Sequence, residues 1–313
     1  MAGQGLSPSD VPAVVAAWYE RAAADPARVV LADLGDPRAD FAAIQLVDEG
    51  LVQPVHPIVD RDDARQAEAI ARAEDAGLDV GDAVVAATVL VRSGVADAAV
   101  AGATRSTADV LRAGLRVLGV APGVDVVSSC FLMVLADGRP VAYGDCGVVP
   151  DPDATQLATI ASSTADTWIG LAGPAAGSGP PRVAMLSFST KGSAEHPRVD
   201  KVRAATALVT ERRSDLAVDG ELQFDAAIVP AVAAVKAPGS PVAGSADVFV
   251  FPDLDSGNIA YKVTERLGGA RAYGPLLQGL DGVLHDLSRG CSATDIVDVA
   301  VIAGLQARVR SRS

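Results

Sequence analysis

Short β-branched runs and helical patterns alternate along most of the chain, and that alternation constrains the fold more than any other feature. A strand that hands over to a helix returns as a parallel neighbour, so the pattern predicts an α/β fold with largely parallel sheets. Val29 to Ala32 reads as a strand ending at LGDPR (34–38), and a helix follows around 41–50. VQPVHPIV (52–59) reads as the next strand, with two prolines that confine it to a sheet edge or make it partly loop. Helices over 64–77 and 81–94, a strand over 97–103 and a helix over 106–119 follow, the last capped by Ser106 or Thr107. Two strand-like runs, 126–136 and 140–146, are joined by the DGR turn (137–139) as a hairpin.

A strong helix begins after PDPD (150–153), where Leu157, Ile160, Ala161, Thr164, Ala165, Trp168 and Ile169 recur at i, i+3, i+4. The loop AGPAAGSGPP (172–181) has a flexible composition. A second series then runs through a strand at 182–188, a helix at 199–213 and strands at 224–230 and 246–252. Helices from about 257 to 267 and from about 292 to 307 complete it. The break near 147–155 divides the chain into two expected α/β/α domains, 1–148 together with 296–313, and 149–295.

Half of the residues are hydrophobic but only 4% are aromatic, so Ala, Val and Leu must build the core. A length of 313 residues suits one large or two ordinary domains. The formal charge is −13, and an acidic chain without a basic stripe is a poor nucleic-acid binder. Residues 1–100 hold 17 acidic residues against 7 Arg, and all four lysines (Lys191, Lys201, Lys236, Lys262) come later. An anionic ligand is therefore better served after residue 100. Three scattered cysteines (Cys130, Cys146, Cys291) suit a reducing compartment rather than a disulfide framework or zinc knuckle. No basic leader opens the chain, and the longest apolar stretches are about half of the ~20 residues a spanning helix needs. The expectation is a cytoplasmic protein with no membrane partner. GxxxxGK[ST], GxGxxG after a strand, GxSxG and HExxH are all missing, and His56, His196 and His285 stand alone. No metal is expected.

The segment GPLLQGLDGVLHDLSRGCSATDIV (274–297) carries the chemistry. Ser292-x-x-Asp295 before an apolar run is a helix start of the capping-box type, which by itself gives Asp295 a structural role. Ser288, Arg289 and Gly290 stand immediately before it. Free N–H groups, a guanidinium and a glycine that permits close approach can together hold a phosphate or a developing oxyanion. Cys291 lies beside them near a helix start, where a thiol pKa tends to fall. Ser189, Thr190, Lys191, Gly192 and Ser193 form a polar loop after a strand, where α/β folds bind ligands, although the same residues make ordinary turns.

With these residues in view, the chain resembles the phosphate acetyl/butyryltransferase family. The likeness runs through VAGATRSTADVLRAGL (100–115), SSCFLMVLADG (128–138), GDCGVVPDPDATQLATIA (144–161) and RVAMLSFSTKGSAEHPRVDKVRAAT (182–206). It continues through 219–262, GPLLQG (274–279) and the SRG segment. The resemblance implies reversible acetyl transfer between acetyl phosphate and coenzyme A, with CoA a substrate and no cofactor. It also implies two α/β domains like those of isocitrate and isopropylmalate dehydrogenases, an active-site cleft between them, and a homodimer. Residue by residue, it implies Asp295 as the base for the CoA thiol, Ser288 as a hydrogen-bond partner of the thiol, and Arg289 on the oxygens of the acyl phosphate. Arg112 matches an arginine that holds the anionic substrates; Asn258 and Lys262 match a segment near the ligand.

The likeness is weakest over residues 1–99. Where the family carries a basic stretch, Glu74 and Asp75 stand in ARAEDAGLDVGDAVVAATVL (71–90), leaving Arg72 to replace the lost cations. Arg105 and Arg116 are surface charges that could meet CoA phosphates, while Gly274, Pro275 and Gln278 shape a loop. Three alternatives remain: a propionyl or butyryl enzyme, a catalytically weak CoA- or acetyl-phosphate-binding regulator, and a metal-dependent β-decarboxylating dehydrogenase, which would need an Asp cluster that the sequence lacks.

Overall fold

The computed structural model describes residues 11–172 and 179–310. The first half carries α1 (Ala13–Ala24), β1 (Ala27–Leu31), α2 (Pro37–Asp48), β2 (Val52–Val55), α3 (Ala67–Asp75), α4 (Ala83–Arg92), β3 (Ala98–Ala101) and α5 (Thr107–Ala113). The hairpin β4 (Ser128–Val134) and β5 (Pro140–Gly144) precedes α6 (Ala154–Leu171), β6 (Arg182–Leu186), α7 (Pro197–Arg212) and β7 (Ala217–Leu222). Then come α8 (Phe224–Ile228), α9 (Pro230–Lys236), β8 (Val248–Val250), α10 (Leu254–Arg266), β9 (Arg271–Gln278), β10 (Val283–Asp286) and α11 (Ala293–Arg310).

Two sheets result. The first has the order β10-β3-β1-β2 and is parallel throughout. The second has the order β7-β6-β8-β5-β4-β9, parallel except where β4 runs against β5 and β9. β2, with Pro54, lies at an edge as its proline requires. Ser106 caps α5 by accepting from Asp109 N, and the helix widens into a π turn over Gly114–Leu118 before it ends. Asp153 and Gln156 form a reciprocal capping box that starts α6.

The sheets part the chain at other places than 148/149 and 295/296. The hairpin 128–144 pairs within the second sheet, and β10 returns to the first. A turn of four residues between β9 and β10 carries the chain from one sheet to the other. The expected strand at 224–230 is instead the pair α8 and α9. Pro230 begins the second helix, and Ala226 and Ala227 are the buried residues of the first. The strand lies just upstream in β7, whose inward-facing Asp219 and Glu221 hide its apolar alternation. Gly274, Pro275 and Gln278, expected in a loop, belong to β9, an edge strand where proline's missing N–H is tolerated. The helix α1 carries no expectation from the sequence. Trp18 anchors it, fully buried, with its indole N–H donating to Leu171 O at 2.8 Å. Of the loop 172–181, residues 173–178 lie outside the described residues.

The core is aliphatic. α6, α7 and α11 cover one face of the second sheet against Leu132, Ala142, Met185 and Val250, while α10 covers the other against Met133, Tyr143 and Phe249. In the first sheet, α2 and α11 pack on one side and α3, α4 and α5 on the other. β1 and β3 are therefore neighbours whose chains leave for opposite faces. In an open α/β sheet, ligands bind in the crevice that opens outside the C-terminal ends at such a point. Among the described residues no helix is long and apolar enough to cross a membrane.

Candidate active site

Three loops meet at the C-terminal ends of the first sheet, and buried charge knits them together. Asp33, after β1, accepts from Ala103 N at 3.0 Å, Thr104 N at 2.9 Å and the Thr104 hydroxyl at 2.5 Å, all after β3. Asp286, the last residue of β10, accepts from the Thr107 hydroxyl at 2.5 Å. Burial pushes the Asp286 carboxyl up to about 6, against the hydrogen bond from Thr107. Gly102, at φ +116°, passes so close to Asp286 Oδ1 and the Leu287 backbone that a Cβ there would collide with both.

Arg38, in the first turn of α2, holds the loop after β10. Its Nη1 donates to Arg289 O at 2.9 Å and Cys291 O at 3.0 Å, and its Nη2 to Ala103 O at 3.0 Å. Asp36 orients the guanidinium through Nε and Nη2, each at 2.9 Å. Sequence reasoning missed Arg38. It lies in the region of weakest resemblance, and its work is done on carbonyl oxygens that no motif records.

Ser288, Arg289, Gly290 and Asp295 are all exposed. Asp295 and Ser292 form the reciprocal contact that their spacing predicts: Ser292 N donates to Asp295 Oδ2 at 2.7 Å, and Asp295 N to Ser292 Oγ at 3.1 Å. One carboxylate oxygen is thereby engaged, and Oδ1 makes no hydrogen bond among the described residues. Ser288, Gly290, Cys291 and Asp295 line a cavity of about 170 Å³. Its far wall is built by the second sheet and its helix, with Phe131, Tyr273, Gly274 and Pro275 on one part and Tyr261, Glu265 and Arg266 of α10 on another. The Phe131 and Tyr261 rings stack there at 4.0 Å. The cavity thus lies between the two sheets.

A second acid sits one turn below Asp295 on α11. Asp298 is buried and accepts from the Tyr19 hydroxyl at 2.7 Å. Burial raises its carboxyl to about 6; the Tyr19 bond opposes that shift, and the charge of Asp295 adds to it. Cys291 is buried, and burial lifts its thiol to about 11 despite the nearby Arg38. The lowering expected of a thiol near a helix start does not occur, because lost hydration outweighs the helix end and the guanidinium.

The other expected residues separate from this cavity's lining. Ser189 and Thr190 are buried. Ser189 Oγ donates to Glu221 Oε1 at 2.9 Å, and Gly192 N to the same oxygen at 2.8 Å. Ser193 Oγ accepts from Thr190 N at 3.0 Å, Lys191 pairs with Asp219, and Arg203 chelates Glu221 with two bonds of 3.0 Å. Burial opposes the Glu221 charge, but Arg203 and the Gly192 and Ser189 donors hold its carboxyl at about 2. Ser189, Lys191 and Gly192 thus spend donors on internal acids, while residues 191–193 stay exposed. Asn258 donates to Cys146 O at 2.9 Å and accepts from Lys262 Nζ at 2.7 Å, on α10. Arg112 pairs with Asp109 at 3.0 Å and remains half exposed on α5. Arg105 pairs with Asp82 at 2.6 Å, and Arg72 donates to Arg116 O at 2.9 Å. His56 and His196 are exposed, while His285 is buried, accepting from Leu277 N and paired with Gln306.

Known proteins place this geometry in context. The profile of the phosphate acetyl/butaryl transferase family matches residues 56–304. A phosphate acetyltransferase of Paracoccus denitrificans is 43% identical over 316 residues, covering 93% of this chain and 98% of that protein. Another, from Acetivibrio thermocellus, is 50% identical over 234 residues, covering 73% of this chain and 69% of the relative. A crystal structure of a phosphotransacetylase from Streptococcus pyogenes is similar with a TM-score of 0.87 and 39% identity, covering 97% of this chain and 100% of that one.

Proposed function

The chain belongs to the phosphate acetyl/butyryltransferase family, and from that premise we propose that it catalyses reversible acetyl transfer between acetyl phosphate and coenzyme A. The observation that carries this reading is the cavity between the sheets. Ser288, Gly290 and Asp295 line it together, and Arg289 stands exposed in the same loop.

Asp295 takes the thiol proton of CoA, and the thiolate attacks the carbonyl carbon of acetyl phosphate. The carbon–oxygen bond to phosphate then breaks, leaving a thioester and inorganic phosphate. Charge developing on the carbonyl oxygen falls near the Arg289 guanidinium. A thiol near 8.5 and an aspartate near 3.9 differ by about 4.6 units, which makes full proton transfer uphill by ~6 kcal/mol. Ser288 reduces that gap by offering its hydroxyl to the thiolate as it forms. Because Cys291 is held in its thiol form, it is a poor nucleophile, which supports direct transfer with both substrates bound over an acyl-enzyme. The named acetyl relatives support acetyl over longer acyl groups. Arg112, Asn258, Lys262 and Gly290 are assigned to substrate contact, with no cofactor, and the family likeness supports a cytoplasmic homodimer.

Mixing CoA with acetyl phosphate and following thiol loss tests the reading. Rapid protein-dependent loss that collapses in Asp295→Asn and Arg289→Ala is the expected result. CoA binding without thiol loss would identify a regulator instead.

A further inference from the structure

A second crevice of the same topological kind exists in the other sheet. β6 and β8 are adjacent and parallel. The chain leaves β6 for α7 on one face and β8 for α10 on the opposite face. A cavity of about 310 Å³ opens at this point, outside the C-terminal ends of both strands. Parallel α/β sheets bind ligands at such positions, and this volume is near the small end of ligand pockets, ~300 Å³ and upward.

Its lining is specific. Phe188, Phe224 and Phe251 supply aromatic surface, Arg198 and Lys201 come from the first two turns of α7, and Ser256 from the first turn of α10. Phe188 is 56% exposed and Phe224 41% exposed, unusual for rings at the edge of a well-packed core. Arg198 reaches Asp253 only at 3.5 Å with 70% of its side chain exposed. Lys201 donates to Pro252 O at 2.9 Å and to the outlying Asp151 at 2.7 Å. Asp253 turns its carboxylate to cap α10, accepting from Ser256 N at 2.9 Å. Flat aromatic surface next to two cations and two helix starts suits a base joined to phosphate.

We propose that this crevice binds an adenine nucleotide, its base against Phe188 and Phe224 and its phosphate against Arg198 and Lys201. The choice of adenine rests on the reading of CoA as a substrate. The nucleotide is either the 3′-phosphorylated end of CoA itself or a free adenine nucleotide. α10 leads from this crevice to the catalytic cavity: Ser256 lines one and Tyr261 and Glu265 the other. At 1.5 Å per residue, these positions lie about 8 to 14 Å apart along the helix axis.

The test compares the full-length protein with a Phe188→Ala/Arg198→Ser double variant. Both side chains are exposed, and an unchanged melting temperature verifies the fold. Titration calorimetry with adenosine 3′,5′-bisphosphate and with 5′-AMP is expected to show a loss of affinity of at least tenfold in the variant. A parallel rise in KM for CoA with kcat unchanged assigns the crevice to CoA's own nucleotide end. Weakened AMP binding with an unchanged KM for CoA assigns it to a free nucleotide. Equal affinity in both proteins, or no binding of either probe to the unaltered protein, overturns the proposal. Thiol loss is read separately: a protein that binds nucleotide here but consumes no CoA keeps the crevice and removes the acetyl transfer reading.

Discussion

Two polar, glycine-containing loops follow strands in this molecule, and they end differently. At 288–291 the backbone carbonyls are taken by Arg38, which leaves Ser288 and the Arg289 side chain exposed beside a cavity. At 189–193 the Ser189 hydroxyl and the Gly192 N–H are drawn onto buried Glu221, and the lysine onto Asp219. Composition does not separate the two. What separates them is which groups the internal partners consume: carbonyls in the first loop, donors in the second. A donor already satisfied inside the protein has little left for a ligand.

Asp295→Asn and Arg289→Ala should break the first loop's chemistry. A loss of about 10² to 10⁴ in turnover is expected, with melting nearly unchanged, measured by thiol loss and thermal denaturation. Glu221→Ala should break the second loop's architecture instead. It leaves the Arg203 guanidinium, Gly192 N and the Ser189 hydroxyl without their acceptor, at a cost of about 3–5 kcal/mol in denaturant unfolding.

Asp298→Asn sharpens the comparison through pH. The folded carboxyl titrates at about 6, above its ordinary value, so folding takes up a proton between about 4 and 6. This group therefore favours the fold at acid pH, and its contribution falls as pH rises through that window. Asparagine can still accept from Tyr19, so the variant should gain up to ~3 kcal/mol over the parent above pH 6 and little below pH 4. Ser189→Ala should cost only ~1 kcal/mol of stability and leave turnover per folded molecule unchanged. The smallest effect is expected of Cys291→Ala, which should retain activity in the same thiol assay.

Legibility in the sequence followed the same division between local and distant partners. The capping contact of Ser292 and Asp295, the Ser106 cap and the 128–144 hairpin rest on near neighbours, and each could be read from spacing. β7 could not, because its inward-facing acids are stabilised by Lys191 and Arg203, 28 and 18 residues away. β9 was obscured by a proline that only its edge position excuses. For the site, Ser288 and Asp295, which line the cavity, stood in a recognisable motif. The residue that presents the motif itself, Arg38, did not.

Arg38 also lies upstream of residues 56–304, where the family profile matches. A fragment trimmed to that span would keep every group assigned to the reaction and lose the clasp on the backbone that displays them. Shortening this protein to its recognisable portion would thus discard the part that aims it.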